Sequence, residues 1–124
     1  MPRNRNQITQ TYNDGVCQIC EVTNIAEPGE MPEDGLKEKV KLRYEERTVG
    51  MNRFWTAMQA HARIDMLIRT PRIRGINNFN VIVFSNGEQY QIKQIQYPKD
   101  IEPPSMDLSL TRLETKYPIG GDDG

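Results

Sequence analysis

Two cysteines separated by two residues, Cys17 and Cys20 in VCQICEV, have the spacing that comes nearest to chemistry. Cys-x-x-Cys supports dithiol redox work or metal binding when both sulfurs lie on one side of the chain, as they do on a helical turn. Val16, Ile19, Val22 and Thr23 are β-branched, and Asn13-Asp14-Gly15 and Asn24 bound the run with turn residues, so the pattern predicts a strand. Alternate strand residues face opposite sides, which puts the two sulfurs on opposite faces and about 10 Å apart along the chain. A disulfide requires Cα atoms within roughly 4.4–6.8 Å. Neither a bridge nor a shared metal is therefore expected. Zinc also calls for about four ligands, and His61 is the single histidine.

Other catalytic constellations lack their parts. No Gly-rich phosphate loop and no G-x-S-x-G elbow occurs. Ser85, Ser105 and Ser109 are the serines, and nothing in the sequence places His61 beside one of them as a base. The carboxylates are scattered through loops rather than paired. The expectation is a protein without catalytic residues, cofactor or metal.

Charge offers a better lead. The net charge of −1 argues against a dedicated nucleic-acid binder, which usually carries a basic excess. Its distribution is uneven. Glu27, Glu30, Glu33 and Asp34 form an acidic segment, whereas Arg53, Arg63, Arg69, Arg72 and Arg74 are opposed within their own stretch only by Asp65. Arg63, Arg69, Arg72 and Arg74 are expected to face something outside the core, either contacting phosphates or protecting a strand edge and pairing with acidic residues of a neighbour. A steep loss of binding with salt distinguishes the first from the second.

The elements that position these groups follow from periodicity. At 124 residues, 36% hydrophobic and 27% charged, the chain suits one domain with a single core. It contains no apolar run near the ~20 residues of a membrane span. The first residues have no apolar stretch of the secretory type, so synthesis in a reducing cytoplasm is expected. A polar arm over 1–15, a single domain over 16–115 and a flexible tail over 116–124 are anticipated.

Strands are predicted from Val16 to about Ala26, from Lys39 to Arg47, from Ile64 to about Thr70, and over the last alternating run, MDLSLTRLE. EPGEMPEDG, at 27–35, reads as a projecting loop. Met51, Phe54, Trp55 and Met58 fall at i, i+3, i+4 and i+7, one face of a helix ending near Gln59. VIVFSNGEQYQIKQI predicts a hairpin turning at Asn86-Gly87. The fold class is mainly β: a small six-stranded antiparallel barrel or sandwich with one short helix and long loops.

Taken as one pattern, the features from Val49-Gly50 onward run in a suggestive order. A short helix with Arg53 and Ala57 precedes the strand that ends in IRTPRIRGI. NVIVFSNGEQYQIKQIQYP and LSLTRLE follow. This order resembles the head-tail joining or head-closure proteins of tailed bacteriophages, also called adaptors or stoppers. RYEERTVGMNRFW looks like the version in phages and prophages of Gram-positive bacteria. The resemblance spans 16–114. One departure is that the family's tryptophan at the end of the second strand is here Tyr44, while Trp55 lies on the predicted helix.

The resemblance implies a homo-oligomeric ring, in that family usually dodecameric and sometimes hexameric, located in the virion neck and assembled in the host cytoplasm. The ring would sit below the portal or an adaptor ring and above a tail terminator or tail tube, with packaged double-stranded DNA in its channel. Arg53, Arg63, Arg69, Arg72 and Arg74 become candidates for the channel or the subunit interface. Glu27, Glu30, Glu33 and Asp34 form a loop that either repels DNA or docks to a neighbouring ring. The alternatives are a tail terminator, and a small nucleic-acid-binding barrel using Tyr90, Tyr97 or Trp55 as stacking platforms.

Overall fold

The computed structural model describes residues 8–47 and 63–119. Its elements are β1 (Ile8–Thr9), β2 (Gly15–Asn24), β3 (Asp34–Arg47), β4 (Met66–Pro71), β5 (Val81–Phe84), β6 (Gln89–Gln96), β7 (Ile101–Glu102) and β8 (Ser105–Arg112). The fold is mainly β, with no helix among the described residues. The helix expected around Trp55 falls outside them, together with Arg53 and His61.

Six antiparallel strands pair in the order β2–β3–β4–β8–β6–β5, and β5 pairs back onto β2, so the pairings form a ring. β1 and β7 make a separate parallel pair. β3 starts at Asp34, earlier than its alternation suggests, because pairing with β2 extends to Asn24↔Asp34. The interruption at Lys37-Glu38-Lys39 is a bulge: Ile19 faces Val40 and Cys20 faces Glu38, leaving Lys39 as the extra residue.

The predicted hairpin forms with a longer loop than two residues. Phe84 N–H donates to Glu88 O (3.0 Å) and Gly87 N–H to Phe84 O (2.9 Å), so Ser85, Asn86 and Gly87 make a three-residue loop. Gly87 has φ 88°, the left-handed conformation that such a loop needs at its third position. Asn86 accepts the Glu88 N–H at 2.9 Å, which stabilises this turn over the two-residue form.

The alternating residues Met106, Leu108 and Leu110 of β8 pack inside the ring with Cys17, Ile19, Ile68, Ile82, Phe84 and Ile92. A second cluster, Cys20, Leu36, Val81 and Val83, packs with Val22, Leu113 and Tyr117. All four residues of β5 are therefore buried, its two faces serving different clusters. The expected flexible tail supplies part of the cover. Tyr117 N–H donates to Gln89 Oε1 (2.8 Å), Gln89 Nε2 returns a bond to Tyr117 O (3.0 Å), and Leu36 N–H donates to Pro118 O (2.9 Å).

The described part of the polar arm is likewise bound. Gln10 N–H donates to Glu102 O (2.8 Å), Tyr12 shares a 2.7 Å hydrogen bond with Ser105 Oγ, and Asp14 N–H donates to Tyr44 O (2.9 Å). Polar groups of this arm thus satisfy the backbone and side chains of residues distant in sequence.

Asp65 joins the start of β4 to the end of β8. Its carboxylate accepts the Arg112 N–H at 2.8 Å and Arg63 Nε at 3.0 Å. Desolvation acts to raise its pKa, but the Arg112 backbone and Arg63 side chain outweigh it, and the net shift is downward. A depressed carboxylate stabilises above its unfolded pKa, and the contribution is lost as pH falls through the folded value. Asp65→Ala is expected to cost at most about 1 kcal/mol at pH 7, since the pair is partly solvated. Urea midpoints of the two proteins should converge as pH falls below the ordinary carboxylate range and through the folded pKa of Asp65.

Candidate functional site

The exit of β4 brings two of the five candidate arginines together. After Pro71 the alternation continues as Arg72-Ile73-Arg74, with Ile73 and Ile76 packed against the main core and both arginines exposed. Gly75 turns the chain at φ 85°. Burial of the isoleucines thus forces the guanidinium groups outward.

Arg72 lies over the ring of Tyr97, 4.8 Å from its centroid, and Tyr97 is 51% exposed. Arg72 Nε donates to Ser105 O at 3.2 Å and Nη2 to Pro98 O at 3.4 Å. These carbonyls orient the guanidinium without neutralising it. Neither Arg72 nor Arg74 forms an ion pair among the described residues. With Ile73, Gly75 and Tyr97 they line an open recess of about 370 Å³. Lys39, the bulged residue of β3, donates to Gly75 O on its border.

Arg69 corrects the expectation that all these arginines face outward. It is 7% exposed and makes a bidentate pair with Asp107, Nε to Oδ1 at 2.6 Å and Nη2 to Oδ2 at 3.0 Å. Its Nη1 donates to Gln10 Oε1 at 3.0 Å, and Gln10 Nε2 reaches Glu45 on β3. The hydrogen bonds that Arg69 donates to Asp107 raise its pKa despite desolvation, so it stays charged. This clamp ties β4, β8, β3 and the arm together, leaving no exposed guanidinium to offer a phosphate. The cross-strand pairing Arg69↔Asp107 has no local signal in either segment.

Arg63 lies before the opposite end of β4, nine residues from Arg72, which is up to about 30 Å at strand spacing. It is paired with Asp65 at 3.0 Å and Glu114 at 3.7 Å. Arg53 is outside the described residues.

The acidic segment closes the β2–β3 hairpin. Asn24 Oδ1 accepts the N–H groups of Ala26 and Glu33, both at 3.0 Å, and Ile25 N–H donates to Glu33 O at 2.9 Å. Glu30 N–H donates to Glu27 O at 3.0 Å. Glu27, Glu30, Glu33 and Asp34 are exposed, and none forms an ion pair among the described residues. Met31 between them is 85% exposed.

Cys17 and Cys20 are free thiols facing the two different clusters. Burial pushes Cys17 up to about 12 and Cys20 up to about 11. Both are protonated near neutrality and poor nucleophiles. Among the described residues, no three His, Cys, Asp or Glu side chains are grouped to hold a metal.

Sequence reasoning named Tyr97 as a stacking platform but did not connect it with Arg72, more than twenty residues away. Exposed Phe79, between asparagines in the turn before β5, was not singled out either. No family model matches the chain, and no curated protein matches it in sequence.

Proposed function

We propose that this chain is a head-closure, or stopper, protein of a tailed-bacteriophage neck. In this reading it is a small barrel that assembles side by side into a ring beneath the portal, retains packaged DNA and docks the tail. The observation that supports it is that the segments carrying the resemblance, the hairpin around Gly87 and the LSLTRLE strand, pair as β5, β6 and β8 within one antiparallel ring. Hydrogen-bonded tips and connectors provide the projecting surfaces such a ring requires, while ring closure limits exposed strand edges.

A phage whose copy of the gene carries an early stop tests the reading. Electron microscopy of lysates should show intact free tails beside tailless heads, many emptied of DNA. Filled heads with abnormally long tails would move the protein to the tail terminator. Normal virions would discard both. In the same system Arg72→Ala/Arg74→Ala should lower titre at least roughly tenfold with the isolated fold intact, as loss of a buried interface contact, about 1.4 kcal/mol per tenfold in affinity, would weaken assembly. Arg69 is left native in that variant because its removal would confound assembly with folding.

The exposed Tyr97 beneath Arg72 also favours a second reading, a nucleic-acid-binding barrel that stacks a base there. Oligonucleotide affinity that falls steeply with salt and disappears in Tyr97→Ala would support it.

A further inference from the structure

We propose that the recess formed by Arg72, Arg74 and Tyr97 receives the acidic β2–β3 tip of a second copy of this chain. The inference rests on the ring reading above and names the contact from which the ring is built.

Both surfaces have unsatisfied charge of opposite sign. The recess presents two guanidinium groups with no carboxylate partner among the described residues. The tip presents Glu27, Glu30, Glu33 and Asp34, also without a cation. Arg72 is held by the carbonyls of Ser105 and Pro98, and the tip is held by Asn24, so each arrives shaped. Preorganisation reduces the entropy lost on docking. Met31, exposed just after the Glu27–Glu30 turn, matches the exposed Tyr97 ring, since a thioether contacts an aromatic edge favourably.

A subunit does not fill its own recess. Lys39 touches Gly75 at the border, whereas Asp34 lies five residues before it at the start of β3, about 17 Å away at strand spacing, with the tip beyond it. The tip and recess are different patches, so their contact is head-to-tail, the type that generates closed rings when the rotation permits. Exposed ion pairs are individually weak and screened by salt. A complete ring repeats the contact and gains by multivalency.

The test is site-directed cross-linking of full-length chains at millimolar subunit concentration. Met31→Cys and Lys39→Cys chains, the second cysteine on the border of a recess that keeps both arginines, are mixed under oxidising conditions, with Met31→Cys and Phe79→Cys chains as the exposed control pair. The first mixture should give roughly tenfold more mixed disulfide than the control, corresponding to about 1.4 kcal/mol. The excess should vanish in 1 M NaCl, where screening falls to about 3 Å, and after Glu27→Lys/Glu33→Lys in the Met31→Cys chain. Equal cross-linking, or none, overturns the proposal. It also falls if the excess survives the charge reversal, or if native chains bind duplex DNA through Arg72 and Arg74 without self-association. The stop-codon virions report separately: a neck phenotype without cross-linking leaves a ring built on another surface, and cross-linking with normal virions removes only the neck assignment.

Discussion

Asp107→Ala is expected to destabilise the fold by about 3–5 kcal/mol, because it leaves the Arg69 guanidinium charged and without its carboxylate in a site where it is 7% exposed. Of the polar contacts given above, Arg69 would retain only Gln10 Oε1. The loss is large beside a typical total stability of about 5–15 kcal/mol. Urea denaturation followed by circular dichroism measures it. Replacing both partners, as Arg69→Met/Asp107→Leu, should recover much of the loss, since an apolar pair removes the desolvation cost with the charges. If Asp107→Ala costs less than about 1 kcal/mol, the pair is solvated and the clamp is not structural. This behaviour would separate Arg69 from Arg72 and Arg74, whose replacement should affect assembly and leave the urea midpoint nearly unchanged.

Truncation after Glu114 is expected to cost about 2–5 kcal/mol and to open one cysteine selectively. It removes Tyr117, its paired bonds with Gln89, and the Pro118 carbonyl that receives Leu36 N–H. A half-buried tyrosine and the surface it covers amount to roughly 100 Å² on each side, worth about 25 cal/mol per Å². The fully buried Leu36 and Val81 then lose part of their cover, together with Cys20. In native conditions a thiol reagent should label Cys20 in the truncated chain and leave Cys17 inside the ring unlabelled. Full-length protein should label at neither. Equal labelling of both would mean global unfolding, and an unchanged midpoint would show that the segment contributes no stability.

These variants separate what was legible in the chain from what was not. Period-two patterning in MDLSLTRLE and the turn residues Asn86-Gly87 located β8 and the β5–β6 hairpin, because side-chain alternation and left-handed turns are properties of a few adjacent residues. The opposed faces of Cys17 and Cys20 followed from the same geometry. The acidic tip was recognisable from its prolines, glycines and charge.

Pairing across long sequence distances decided the rest. Arg69 and Arg72 are three residues apart and chemically identical, yet one is sealed by Asp107 and Gln10 while the other stands over Tyr97 at the surface. No local pattern selects Asp107, since the strand register that faces it to Arg69 depends on the whole ring. The same holds for β5, where Val81 and Val83 are buried because a distant segment packs on their face. By itself the sequence determined where the strands of the ring run, where the β5–β6 hairpin turns and how unequally charge is placed, all set by local steric and hydropathic constraints. Only the tertiary structure decided which charges are paired within the chain and which stay exposed, because burial and ion pairing depend on groups that folding brings together.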